Sequence, residues 1–476
     1  MKQYVEKYMK NNESYFKKVS SYIYSHPETR FEEYQSAEFL AKECENQGFT
    51  VNRNVADIET AFIASYGCGK PEIGFLGEFD ALSGLSQKPN ETSYQPFNHD
   101  IGHGCGHNLL GTGSFAAACA VKNYLKEHNL AGTVTFFGCP GEEGGSGKTF
   151  MVREGVFDDV DAAITWHPSP TNAIMNLTSL ANYQVSFRFH GKSAHAANSP
   201  HLGRSALDAL ELMNVGVNYL REHVTSDVRF HYAVTNTGGI SPNVVQADAE
   251  VLYLIRAPKI EQVKKVYQRI VKISKGAALM TETDVTIDFN KACSNYIPNR
   301  HLEGITHQNL LEVGADKPDK NEIDYAEKLW NTLSESEQGS YIDQLRGFGY
   351  IGDGSEFEGK FVSDSISPYE IFDGLLPGST DVSDVSWVVP TVQLTSATSM
   401  LGTALHTWQM TAQGLSSFAN KGMLRAAKTM AMTGIRLLQD ESELQKARKE
   451  FEAFRKNNNY INPIPDNVKP TKLKYY

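Results

Sequence analysis

Several short stretches of this chain hold residue types that bind metal ions or move protons. They are Gly77-Glu78-Phe79-Asp80, His103-Gly104-Cys105-Gly106-His107-Asn108, Gly141-Glu142-Glu143-Gly144-Gly145 and His167, with His406 much later. Divalent transition metals take thiolate, neutral imidazole and carboxylate ligands. Cys105, His107, Glu143 and His167 supply those types, and His406 could close the set. A site with two metal ions would explain so many ligands. Glu142 and Glu143 are the telling pair, because adjacent carboxylates repel. One is best neutralised by metal, which leaves the other to take a proton from water and return it to a leaving amine.

Taken singly these signals are weak. A Glu-Glu pair is usually a solvated surface, and a lone histidine is usually a core or surface residue. A rival chemistry makes Cys105 a nucleophile with His103 or His107 as its base. That reading leaves Glu142, Glu143 and His167 without a task.

What joins the stretches is their placement after predicted strands. The apolar runs Ile73–Leu76, Thr133–Gly138 and Ala162–Trp166 lead into Glu78, Glu142 and His167, and the cysteine cluster opens a helix predicted over Leu109–Leu125. Ligands collect outside the carboxyl ends of strands in open α/β sheets, so one sheet can gather all of them. Ala37, Leu40, Ala41 and Cys44 mark an earlier amphipathic helix, and Ala61–Ser65 another strand. Strands alternating with helices predict a mostly parallel sheet covered on both faces.

Near Asn182 the pattern changes. Val185, Phe187 and Phe189 alternate with polar residues, and Ala206, Ala209, Leu210, Met213 and Val217 then follow helical spacing. Strands at Phe230–Thr235 and Ala249–Ile255, a helix from Glu261 to about Ala278 and a strand at Asp284–Phe289 complete a split-βαβ order. The expected organisation is an α+β domain, 181–295, inserted into a catalytic domain formed by 1–180 and 296–476. From His301 to Leu376 the chain reads as irregular, with one helix near Ile323–Leu333. Val388–Thr395 and Ser416–Leu438 read as a returning strand and a long helix.

Composition narrows the class. With 476 residues, two domains are the prior. A hydrophobic fraction of 41% and a charged fraction of 21% suit a globular enzyme. The net charge of −11 and the lack of a basic run argue against nucleic acid or an anionic membrane as partner. No apolar stretch suits a signal peptide or a membrane span, so a cytoplasmic location is expected. The six cysteines show no paired spacing, which argues against a disulfide framework.

At these residues the chain resembles the M20 family of metallopeptidases and amidohydrolases, in the branch whose metal set contains a cysteine. The likeness runs in order through His26-Pro27-Glu28, Gly77–Leu82, Gly102–Asn108, Pro140–Gly145, Trp166-His167-Pro168, Ser193–Ala196, Asn243-Val244-Val245 and His406. It implies a zinc-exopeptidase-like catalytic domain and a ferredoxin-like lid and dimerisation domain. It implies metal ligands at Cys105, His107, Glu143, His167 and His406 for two divalent ions, manganese or zinc. Glu142 becomes the general base, and Asp80 the carboxylate that orients a ligating imidazole. His195 would stabilise the oxyanion, reaching across a dimer, while Asn243 and Arg256 would hold substrate.

The implied reaction is hydrolysis of an amide in a small N-acyl amino acid, with p-aminobenzoyl-glutamate the leading expectation and dipeptides or other acyl amino acids the alternatives. The implied assembly is a homodimer, or a heterodimer with a homologous subunit on which activity depends. Two positions depart from the pattern. Glu78 stands where the family puts a ligating histidine, and Asn108 where this branch often has aspartate.

Overall fold

The computed structural model describes residues 1–472. The chain divides into two compact units. The first comprises Met1–Thr178, Ile297–Leu376 and Asp384–Ile461; the second comprises Ser179–Tyr296, Pro377–Ser383 and the described residues from Asn462. The sequence reading gave everything after residue 295 to the catalytic domain. Pro377–Ser383 instead joins the second unit through specific bonds: the Leu180 amide donates to the Gly378 carbonyl at 2.9 Å, and Arg256 Nη1 donates to Ser379 Oγ at 2.8 Å.

The first unit is built on a seven-stranded mixed sheet. Its spatial order is Thr50–Arg53, Phe62–Cys68, Gly132–Gly138, Glu72–Gly77, Ala162–Ser169, Thr391–Ala397 and Ala173–Ile174. The four strands from Gly132–Gly138 to Thr391–Ala397 run parallel, and the outer pairings are antiparallel. Gly77 pairs with Gly138 in register, so these two strands end side by side.

Side chains alternate across this sheet. Phe136 meets Phe115 of the helix His107–His128, while its neighbour Phe137 meets Phe157 on the opposite face. The helices His107–His128 and Ser417–Gln439 pack on each other and on the sheet, and Lys2–Ser25 lies against both. Lys2–Ser25 was not expected as a helix. Its Val5, Met9, Phe16, Val19 and Ile23 form one buried stripe, each worth about 1.5–3 kcal/mol of apolar burial.

The stretch expected to be irregular apart from one helix near Ile323–Leu333 holds that helix, at Lys320–Trp330, and two more, Arg300–Val313 and Glu335–Arg346. Each starts at a side-chain cap that a sequence can show: Asn299, Asp319 and Ser334 accept from the amide three residues on. The late strand starts at Thr391 rather than Val388, because Val382–Val388 is helical and Pro390 follows it.

The second unit runs strand Ala181–His190, helix Ala206–Leu220, strands Arg229–Asn236 and Asp248–Ala257, helix Ile260–Thr281, and strand Asp284–Cys293. Its sheet has the order Asp284–Cys293, Ala181–His190, Asp248–Ala257, Arg229–Asn236, with every pair antiparallel. Ser205 starts the first helix by accepting from the Asp208 amide.

Candidate active site

The strand Glu72–Gly77 delivers Glu78 and Asp80, both buried. Asp80 serves two neighbours at once. Its Oδ1 is 2.9 Å from His107 Nδ1, and its Oδ2 accepts the Glu143 amide at 2.7 Å. With Nδ1 turned to Asp80, Nε2 is the ring nitrogen that faces the remaining donors. That Nε2 is buried and has no hydrogen-bond partner. His107 stands at the start of its helix, after Gly106 with φ 76°, a conformation that suits glycine. A Cβ there would also press on Pro168 and Met410 at 3.0 Å.

His167 is set in the same way. Its Nδ1 donates to the Pro168 carbonyl at 2.8 Å, which turns Nε2 toward Cys105 Sγ at 3.4 Å. His406 comes from a distant loop, its amide bonded to the Gly104 carbonyl at 2.9 Å and its φ at 60°. Its Nε2 lies 3.2 Å from Glu143 Oε1. A left-handed backbone at a non-glycine residue persists only where its surroundings hold it, which is common at functional positions.

Three overlapping sets of donors result. Cys105, His107 and His167 form one, Cys105, Glu143 and His406 a second, and Glu78, His107 and Glu142 a third, with the donor atoms in each set within 4.8 Å of one another. A buried imidazole nitrogen, a thiol and carboxylates at that spacing fit divalent cations, and both histidines carry the hydrogen bonds that orient metal-ligating imidazoles.

The electrostatics agree. Burial pushes the Cys105 thiol well up, and the Glu143 carboxylate adds to this. A thiol so placed is a poor nucleophile, while a divalent cation would stabilise its thiolate. Burial opposes charge on Glu143, yet the His406 hydrogen bond and His107 hold its carboxyl below the usual range. His406 is raised in turn, first by its hydrogen bond to Glu143. Burial drives His103 down to about 3, and its Nε2 is committed to the Ile23 carbonyl at 3.0 Å. His103 is therefore no base for Cys105.

Two departures from the family pattern find structural roles. Asn108 Nδ2 donates to Ser20 Oγ at 3.0 Å and to the Gly414 carbonyl at 2.9 Å, tying three segments together. Glu78 forms a fully buried ion pair with Lys148, Nζ to Oε1 2.6 Å, while its Oε2 is 3.3 Å from His107 Nε2. Burial opposes charge on Glu78 too, but Lys148 and then His107 hold its carboxyl low. The sequence reading missed Lys148, which lies in no motif, and it missed Glu33. Glu33 is buried and accepts the Gly141 amide at 2.9 Å and Thr60 Oγ1 at 2.8 Å, bracing the loop that carries Glu142.

His195, Asn243 and Arg256 belong to the second unit. The His195 and Asn243 segments are paired: the Ala196 amide donates to the Asn243 carbonyl at 2.9 Å. His195 Nδ1 accepts from the amides of Ala197 and Asn198 at 3.2 and 3.1 Å, which leaves Nε2–H as its donor. His195 and Asn243 are exposed and Arg256 half-buried.

Residues 74–291 match the model of peptidase family M20/M25/M40. The B subunit of the p-aminobenzoyl-glutamate hydrolase of Escherichia coli (strain K12) is 52% identical over 463 residues, covering 96% of this chain and 96% of that protein. The chain belongs to the M20 family. The Xaa-Arg dipeptidase of Mus musculus is 28% identical, over 91% of this chain and 88% of the relative. Among solved structures, a Bacillus subtilis protein described as a dinuclear metal-binding peptidase of the M20 family superposes with a TM-score of 0.55 at 14% identity. It covers 90% of this chain and 99% of its own, a likeness of fold. The M20 chain described here is thus a hydrolase with the donor set for metal built into its first unit. No helix among its described residues is long and apolar enough to cross a membrane.

Proposed function

We propose that this protein hydrolyses the amide bond of p-aminobenzoyl-glutamate, giving p-aminobenzoate and glutamate, at a centre of two divalent metal ions. The observation that carries the reading is the Asp80 carboxylate, which orients His107 and the Glu143 backbone together and leaves Glu142 beside them. Cys105, His107, Glu143, His167 and His406 would hold the ions. Thiolate favours zinc on softness, while the imidazole and carboxylate ligands suit manganese equally. When bound, the ions supply Lewis acidity to the amide carbonyl and lower the pKa of a water.

The residues of this chain do the rest. Glu142 takes the water proton as the amide carbon is attacked and returns it to the departing nitrogen. His195 donates Nε2–H to the oxyanion, a role its amide-bonded Nδ1 supports. Arg256 and Asn243 hold the glutamate carboxylates, for which a guanidinium offers paired donors. The second unit, with its strand–helix–strand–strand–helix–strand order, acts as a ferredoxin-like lid and dimerisation domain. Its edge strand Arg229–Asn236 exposes Tyr232 and Val234, and the helix Ala206–Leu220 exposes Val215 and Tyr219, a surface suited to another protomer. That protomer is a second copy or a homologous chain, the latter suggested by the Escherichia coli relative being one subunit of its hydrolase. A thiolate ligand needs a reduced Cys105, which fits a cytoplasmic location.

The mouse relative supports a second reading, a dipeptidase. Parallel assays of p-aminobenzoyl-glutamate and of dipeptides ending in arginine separate the two. Faster cleavage of the dipeptides would overturn the arylamide assignment.

A further inference from the structure

The helix Glu335–Arg346 and the turn after it form one wall of a cavity of about 260 Å³ in the first unit. Its side-chain walls are Pro170, Tyr341, Leu345, Phe348 and Leu405, with Gln344 among them, and 402–404 supply the remainder. The cavity adjoins the donor set along two segments. Pro170 lies three residues past His167, within about 11 Å along the backbone, and Leu405 directly precedes His406. The Phe348 ring also faces the His167 ring, centroids 6.3 Å apart and planes 28° from parallel.

Phe348 is held firmly in that position. Its amide and that of Tyr350 both bond to the Leu345 carbonyl, at 2.9 and 3.2 Å. Gly349 takes φ 87°, and a Cβ there would meet the Ile174 carbonyl oxygen at 2.6 Å, so the turn sits directly on Ile174. Buried Tyr350 locks the following segment by donating to Glu356 at 2.6 Å and accepting the Gly354 amide at 2.8 Å.

We infer that this cavity is the binding site for the aryl end of an N-aroyl amino acid, with Phe348 and Tyr341 as its specificity-determining residues. The inference rests on the proposed arylamide reading and assigns a task to residues 335–350. None of the lining side chains is charged, so the dicarboxylate end of an aryl-glutamate would be uncompensated there. Aromatic and apolar walls suit a benzene ring, and Tyr341 and Gln344 offer neutral hydrogen-bonding groups for a ring amine. The volume matches a single-ring group rather than a larger ligand, for which sites of about 300–1,000 Å³ are usual.

The test is titration of the metal-loaded full-length protein with each hydrolysis product, p-aminobenzoate and glutamate, followed by NMR. Phe348→Ala and Tyr341→Ala are expected to lower the ratio of p-aminobenzoate to glutamate affinity at least about tenfold, and Phe348→Leu by less. Equal weakening of both products, an unchanged ratio, or no p-aminobenzoate binding by the unaltered protein would overturn the inference. Turnover is scored separately. Failure to cleave p-aminobenzoyl-glutamate while p-aminobenzoate binding still depends on Phe348 would defeat the proposed reaction and leave the aryl site standing.

Discussion

Asp80 joins His107 to Glu143 through a single carboxylate, with Oδ1 on the imidazole at 2.9 Å and Oδ2 on the backbone amide at 2.7 Å. One side chain thereby sets the orientation of one donor and the path of the loop carrying two carboxylates. Asp80→Asn offers only one oxygen for these two bonds. Metal affinity should fall by about 10- to 100-fold with the fold intact, as read by competition with a chromogenic chelator. Unchanged affinity would remove Asp80 from the account.

Glu142 and Glu143 are adjacent in sequence but differ in task. Glu142→Gln should keep its metal and lose about 10²–10⁴-fold in kcat, while Glu143→Gln should lose metal as well. Metal analysis beside single-turnover assays distinguishes them. Equal metal loss in both variants would contradict the division.

The Glu78–Lys148 pair is fully buried, so removing one partner strands the other charge. Glu78→Gln or Lys148→Met alone should cost about 3–5 kcal/mol in urea unfolding of the chelated protein, and the double variant clearly less than their sum. Additive losses would mean the two do not act as a pair.

This pair also marks what the sequence could not show. The candidate donors Glu143 and His167 were legible because their stretches follow apolar runs that end at one sheet edge, as Gly77 beside Gly138 illustrates, and Cys105 and His107 because their glycine-rich cluster opens a helix. Lys148 carries no motif and meets Glu78 only through the fold. The N-terminal helix was readable in principle, since Val5, Met9, Phe16, Val19 and Ile23 keep helical spacing, but charged residues between them mask it. The helix Glu335–Arg346 buries Leu345 alone, so its periodicity is nearly silent, and only the Ser334–Glu337 capping box announces it. The aryl cavity depends on that helix and was out of reach of pattern reading.

Glu303 gives a pH signature away from the metal site. Burial raises its carboxyl above the ordinary value, against the opposing Arg300 charge. From the unfolded value of about 4.3 up to that raised value, the folded state binds more protons than the unfolded one. Stability from this group is full below that window and declines as pH rises through it. Glu303→Gln should flatten this decline in urea melts run from pH 4 to 7. An unaltered slope would contradict the assignment.

The most direct test of the central claim is release of p-aminobenzoate from p-aminobenzoyl-glutamate by the purified chain, assayed after chelation and again with manganese or zinc restored. No release is expected without metal, and its return with metal should require Glu142. Release that survives complete chelation, or none when metal and a homologous partner chain are both supplied, would contradict that claim.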